Sequence, residues 1–250
     1  MKTLSHAFCI LFLIYINDIH NVSQDLTLLF ADDTFALKSD HDLISLINTM
    51  NNIINRMAIW FKTNKLAVNK LKTKYIIFHA KGKNIPNNLP NLVLDENEHN
   101  LTYNLANVTI LERIHNKHDK TDLRAYKLLG IYLDKNLTLD YHVNHLTKKL
   151  NRSMYCIKMA KHNLNPHGLR SLYFALIHSC INYCPIILNC LSQSNKNKLF
   201  KIKIKAICVI TGSAYNAHTG PLFISQKILP FENIIKQAKL FFMHSVSSAS

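Results

Sequence analysis

Apolar side chains at Val143, Leu146, Leu150, Met154 and Ile157 recur every three to four residues. That spacing lines one face of an α-helix and cannot line one face of a strand, so the chain from Asp140 onward is expected to pack as helices. A second helix is expected after Asn165-Pro166, where Asn supplies an N-cap and Pro takes the first helical position, with Leu169, Leu172, Tyr173, Leu176 and Ile177 as its apolar side. A third starts near Ser194 and ends at Gly212, a residue suited to a C-cap.

The pattern ahead of residue 140 is different. Leu26 to Phe30 and Thr34 to Leu37 read as two short strands joined through Ala31-Asp32-Asp33, a β-hairpin with paired carboxylates at its tip. Ser39 and Asp42 have capping-box spacing, and Leu43, Leu46, Ile47, Met50, Ile54, Met57 and Phe61 then form a helical stripe expected to lie on the sheet. Tyr75 to Phe78 is rich in β-formers and is expected to add a strand. Lys81 to Arg124 is polar and Asn-rich, with strand-like pieces at Leu92 to Leu94 and Val108 to Leu111; Leu128 to Leu133 reads as one further strand. The expected class is α+β, an antiparallel sheet with a packed helix followed by an all-helical region, divided into 1–135 and 136–250 without a Gly/Pro/Ser linker.

Charge narrows the choice of partner. The 250 residues carry 30 Lys+Arg against 15 Asp+Glu, a formal net charge of +15, which favours a polyanion over an acidic small molecule. From Tyr141 to Phe231 there is no Asp or Glu, while Lys148, Lys149, Arg152, Lys158, Lys196, Lys198, Lys201, Lys203 and Lys205 all fall within that stretch. An ordinary solvated helix surface mixes both signs for i,i+4 support, so a run of one sign is expected to follow phosphates. Lys outnumbers Arg, and Lys acts on phosphate as a point charge rather than a bidentate base reader.

Other classes fare worse. Lys2 and the apolar run Ala7 to Ile16 have the outline of a secretory signal, and Asn100-Leu101-Thr102 and Asn136-Leu137-Thr138 have the form of glycosylation acceptors. Yet no small-x-small cleavage site follows the run, which is shorter than the ~20 residues of a membrane span. It is expected to be a buried helix or strand of a protein that is neither membrane-anchored nor secreted, with a nuclear or cytoplasmic location. Cysteines at 9, 156, 180, 184, 190 and 208 have no metal-finger spacing and are expected to be reduced core residues. The 14 His are scattered without an HExxH pattern.

The chemistry concentrates at Asp32 and Asp33. Adjacent carboxylates on a rigid hairpin suit Mg²⁺, which takes hard oxygen ligands and completes its shell with substrate phosphates. Adjacent acids are also common as plain turn residues, so neighbouring residues have to decide.

Those neighbours point one way. Phe30-Ala31-Asp32-Asp33 resembles the aromatic-Ala-Asp-Asp box of reverse transcriptases, and Leu11 to Ile19 resembles the LLFLIYINDL segment that precedes the box in jockey-like LINE enzymes. Trp60, Asn64, Leu66, Asn69 and Lys72-Thr73-Lys74 resemble the downstream W-x₃-N-x-L-x-x-N-x₂-K-T-K run, and Leu128 to Asp134 resembles the family's F/Y-L-G-I-x-L-D segment, with His142 following. Ile210-Thr211-Gly212 stands in the place of its I-T-G ending. The similarity covers most of the chain, in order.

The resemblance to non-LTR retrotransposon reverse transcriptases implies part of a polymerase palm over 1–135 and a helical, thumb-like basic region over 136–250. It implies RNA-directed DNA synthesis with Mg²⁺, on an RNA template and DNA primer with deoxynucleoside triphosphates. Asp32 and Asp33 would bind metal, and Lys72 or Lys74 would lie near the triphosphate as a proton donor. The family's further metal-binding Asp and its G-x-P-Q-G-S-type segment have no counterpart before Phe30. Because a ligand set acts as a unit, the chain alone is expected not to polymerise. A non-catalytic nucleic-acid-binding remnant is the alternative expectation.

Overall fold

The computed structural model describes residues 10–22, 26–86, 88–95, 108–113, 125–214 and 217–248. Two compact units emerge: residues 1–77 with 81–114, and residues 115–250 with the short segment 78–80. The division thus falls ahead of the expected 135/136 boundary. The hairpin of β7 (Tyr126–Leu128) and β8 (Ile131–Leu133) packs on α3 (Asp140–Ala160) and belongs with the helices.

In the first unit a helix over residues 10–16 (α1) runs into a 3-10 turn at Asn17–Val22. Ile16 and Ile19 are buried, but Ile10, Leu11, Leu13, Ile14 and Tyr15 are exposed, so the wholly buried segment expected here is corrected to a helix anchored at one end. β1 (Leu26–Phe30) and β2 (Asp33–Leu37) form the expected antiparallel hairpin, in register from Leu26 opposite Leu37 to Phe30 opposite Asp33.

α2 (Leu43–Thr63) is capped by Asp42, whose carboxylate accepts from the Ser45 N–H at 2.7 Å, in place of the Ser39 box expected. The Asp40 carboxylate accepts from the Ser45 hydroxyl at 2.8 Å and the Asp42 N–H at 3.2 Å, and these bonds hold it below the usual carboxylate range. Ile47, Ile53, Met57 and Ala58 are buried. The helix packs on β4 (Val93–Asp95), around a cluster of Ile47, Ala58, Leu92, Leu94 and Leu111. Asn51 locks the two together, donating to the Asn91 carbonyl at 3.1 Å and accepting from the Val93 N–H at 2.8 Å.

The Asn-rich stretch contributes two real ladders. β4 pairs antiparallel with β5 (Val108–Ile110), and β3 (Lys74–Tyr75) pairs in parallel with β6 (Glu112–Arg113). The expected strand at Tyr75 to Phe78 therefore reduces to Lys74–Tyr75. Among the described residues the strands form four separate two-stranded ladders instead of one sheet.

The second unit is helical apart from its hairpin. Val143, Leu146, Leu150, Met154 and Ile157 of α3 are all buried, as their spacing requires. The chain then folds through α4 (Pro166–Tyr173), a π-helical turn at Phe174–His178, α5 (Ser179–Ile181), a 3-10 turn at Ile187–Cys190, α6 (Gln193–Thr211), α7 (Thr219–Ser225) and α8 (Phe231–Ser247). Asn165 caps α4 through the Gly168 N–H at 2.8 Å, Ser192 caps α6 through the Asn195 N–H at 3.3 Å, and Gly212 ends α6 with φ +68°. α3 lies across α6, and the Asn195 amide of α6 donates to Asp140 at 2.6 Å.

The run Leu128 to Leu133 is a hairpin, not a single strand. Leu129 and Gly130 both have positive φ, +45° and +87°, which is what a tight two-residue hairpin turn requires. Tyr183 closes over this turn, its hydroxyl donating to the Leu129 carbonyl at 2.5 Å. The buried Asp134 then starts α3, accepting from the Leu139 N–H at 2.8 Å and from the Thr138 N–H and hydroxyl at 3.1 and 3.0 Å. Of the cysteines, Cys156 and Cys190 are exposed and Cys208 is buried, so the expectation of core positions fails for two of them.

Candidate functional site

The carboxylate pair sits at the bend of the first hairpin. Asp32 occupies the two-residue turn with Ala31, Asp33 opens β2 opposite Phe30, and both acids are exposed. Ala31 has φ +51°, a backbone region that L-residues enter at a cost of roughly 1–2 kcal/mol. A positive φ at this position is what a two-residue hairpin turn requires. The donors are hard oxygens of the type Mg²⁺ prefers, and one or two carboxylates with substrate phosphates make up its usual protein site. By donor chemistry alone, Asp32 and Asp33 would suit such an ion. Among the described residues no cluster of three His, Cys, Asp or Glu side chains is arranged to hold a metal.

Lys72 and Lys74 are not joined to this tip by the sheet. Lys72 is exposed in a turn closed by its N–H on Asn69, and Lys74 lies in β3, whose partner is β6 and not the β1–β2 hairpin. Trp60 and Phe61 are half-buried at the end of α2 and stack edge to face at 5.4 Å, as the core reading of these residues expects.

The basic residues of the second unit divide by helix face. Lys148, Lys149, Arg152 and Lys158 are exposed on α3, opposite its buried stripe. On α6, Lys198, Lys201 and Lys205 are exposed, and Lys196 is half-buried at the rim of a cleft of about 250 Å³ that Lys236 and Lys239 of α8 also line. These cations meet solvent, as phosphate contact requires.

Lys203 does not, and its assignment to phosphate contact is corrected. It is 0% exposed, four residues after buried Leu199 and three before buried Ala206, so the helical period carries it into the core. Its ammonium donates to the Leu229 carbonyl and lies 5.7 Å from the centre of the Phe223 ring. Burial pushes its pKa from 10.5 down to about 8. His178 from the π-helical turn is likewise held below its ordinary value, by burial and by the nearby Lys203. The Tyr173 hydroxyl, buried in the same core, is raised by burial and makes no hydrogen bond.

The second unit also gathers an aromatic group. Tyr132 of β8 packs edge to face on Tyr141 at 5.1 Å and against His145 at 4.8 Å, both on α3. His142 beside them is held below its ordinary value, by burial first and by His145 second. Farther along α3, Tyr155 is 65% exposed. The signal was available: once the buried stripe of α3 is drawn, Tyr155 falls off it.

No family model matches the chain, and no curated protein or solved structure does either. The resemblance to reverse transcriptases accordingly stands on the ordered sequence boxes alone. Among the described residues no helix is long and apolar enough to cross a membrane.

Proposed function

We propose that this chain is a catalytically incomplete part of an RNA-directed DNA polymerase of the non-LTR retrotransposon type, with a palm-like hairpin and a thumb-like helical unit. The observation that carries the reading is the Asp32-Asp33 pair at the bend of an antiparallel hairpin, within sequence boxes that run in the family's order. Asp32 would be the principal ligand of Mg²⁺ and Asp33 the second acid; the ion, when bound, would neutralise triphosphate charge and lower the pKa of a primer 3′-hydroxyl. The hairpin's part is to hold the two carboxylates on a rigid ladder, and the exposed cations of α3 and α6 would follow nucleic-acid phosphates. Lys72 or Lys74 would serve the triphosphate from a separate structural element.

The test is retention of a labelled deoxynucleoside triphosphate by the chain in complex with an RNA template and DNA primer. Retention should depend on Mg²⁺ and fall at least tenfold in Asp32→Asn, while primer extension by the chain alone stays at background. Retention without Mg²⁺, or equal retention by the variant, would contradict the metal role; extension by the chain alone would contradict incompleteness. A second reading, a non-catalytic nucleic-acid-binding remnant, is favoured by the exposed basic faces of α3 and α6. It predicts salt-sensitive binding of nucleic acid that ignores both Mg²⁺ and Asp32→Asn.

A further inference from the structure

The exposed side of α3 carries a second regularity besides charge. Tyr141, His145, Lys148, Arg152, Tyr155 and Met159 follow one another at alternating intervals of four and three residues, the spacing of a single helix face. None of them belongs to the buried stripe. The face begins at the aromatic group of Tyr132, Tyr141 and His145, continues through Lys148 and Arg152 with Lys149 alongside, and reaches the exposed ring of Tyr155. Aromatic platforms thus stand at both ends of a cationic segment on one rigid element.

We infer that this face of α3 binds single-stranded nucleic acid, its phosphates on Lys148, Lys149 and Arg152 and its bases stacked on Tyr155 at one end and the Tyr132–Tyr141–His145 group at the other. The inference rests on the nucleic-acid reading above and adds the form of the ligand. In a duplex the base faces are already covered, so it offers this helix only phosphates and groove edges, for which an exposed tyrosine ring between cations gives little. Unpaired bases present their faces, and a ring flanked by cations meets both needs of a single strand. No acid lies on the face after Asp140 to repel a phosphate chain.

Length follows from the geometry. Tyr141 and Tyr155 are separated by about 21 Å at 1.5 Å of rise per residue, which a strand keeping 3.4 Å per nucleotide spans in about six nucleotides. Oligomers that are shorter and keep this stacked rise engage one platform at a time.

The experiment is fluorescence anisotropy of a fluorescein-labelled twelve-nucleotide oligouridylate and of a twelve-base-pair RNA duplex, each over a series of salt concentrations with the full chain. Tyr155→Ala should weaken oligouridylate binding roughly 5- to 150-fold and leave the duplex affinity within twofold, and Tyr155→Trp should retain binding. The salt slope should stay the same in both Tyr155 variants, and fall by about 0.7 for each of Lys148→Gln and Arg152→Gln. Trimming the oligouridylate from eight to two nucleotides should cost the intact chain more than it costs Tyr155→Ala. Because Tyr155 is exposed, circular dichroism of the variants should match that of the parent. Salt-steep binding that ignores Tyr155→Ala, or an equal loss for duplex and single strand, overturns the stacking inference and leaves nucleic-acid binding standing. Absence of salt-dependent binding to either ligand overturns both.

Discussion

Lys203 gives the sharpest test of the helical unit. In the unfolded chain its amine holds a proton up to about pH 10.5, whereas in the folded chain burial lowers that value to about 8. Below pH 8 the ammonium is charged in both states, and the fold bears the whole cost of burying it. Between the two values the unfolded state binds more protons, so stability rises with pH. Tyr173 acts in the opposite sense above its ordinary value of 10, since the fold keeps it neutral while the unfolded chain loses the proton. The clean window is therefore pH 8 to 10, over which the gain should be about 2 kcal/mol, because the slope of 1.36 kcal/mol per unit is reached only between the two ends.

Lys203→Met keeps the volume, removes the titrating group and leaves the Leu229 carbonyl unpaired, a loss of about 1–3 kcal/mol. The variant should consequently match or exceed the parent at pH 7 and fall below it at pH 10. Urea titrations followed by far-ultraviolet circular dichroism at several pH values would read this. Trp60, the single tryptophan, lies in the other unit and serves as an internal control. An alkaline rise that persists in Lys203→Met, or no rise in the parent, would refute the argument.

Three further outcomes follow from packing and backbone geometry. Leu150→Ala empties a fully buried position at the centre of α3 and should cost 2–5 kcal/mol in the same titration, without moving the Trp60 transition. Gly130→Ala places a Cβ 3.4 Å from the Tyr183 ring at a φ of +87°, and should lower stability by about 1–2 kcal/mol by the same measure. Ala31→Gly relieves the positive φ at the carboxylate bend and should slow amide exchange across the β1–β2 hairpin by a few-fold, corresponding to about 0.5–1 kcal/mol.

Much of the helical unit was legible because its information is periodic. The stripe Val143 to Ile157, the Asn165-Pro166 start and the Gly212 stop each state a helix face or end locally, and all three are in the structure. The first hairpin was legible for a similar reason, since two β-rich runs flank a short polar bend. Lys203 was misread because the run Lys201 to Lys205 alternates with Ile and resembles a solvated basic surface. Its depth is set by Leu199 and Ala206, one turn away on either side.

Leu128 to Leu133 was misread because an unbroken apolar run hides a turn that Leu129 and Gly130 make without the usual Asn-Gly pair. The pairing of Lys74–Tyr75 with Glu112–Arg113, and the division into four small ladders, depend on contacts distant in sequence that no local pattern encodes. At the candidate site the residue types were legible and the placement only in part: Asp32 and Asp33 came out together, whereas Lys72 and Lys74 came out on other elements.

The measurement closest to the central claim is paramagnetic broadening of backbone amide resonances by substoichiometric Mn²⁺ in the presence of a deoxynucleoside triphosphate. Broadening centred on Asp32, Asp33 and Thr34, and abolished by Asp32→Asn, is the predicted result. Broadening centred elsewhere, or unchanged by that substitution, would contradict the assignment of this hairpin as a nucleotide-metal site.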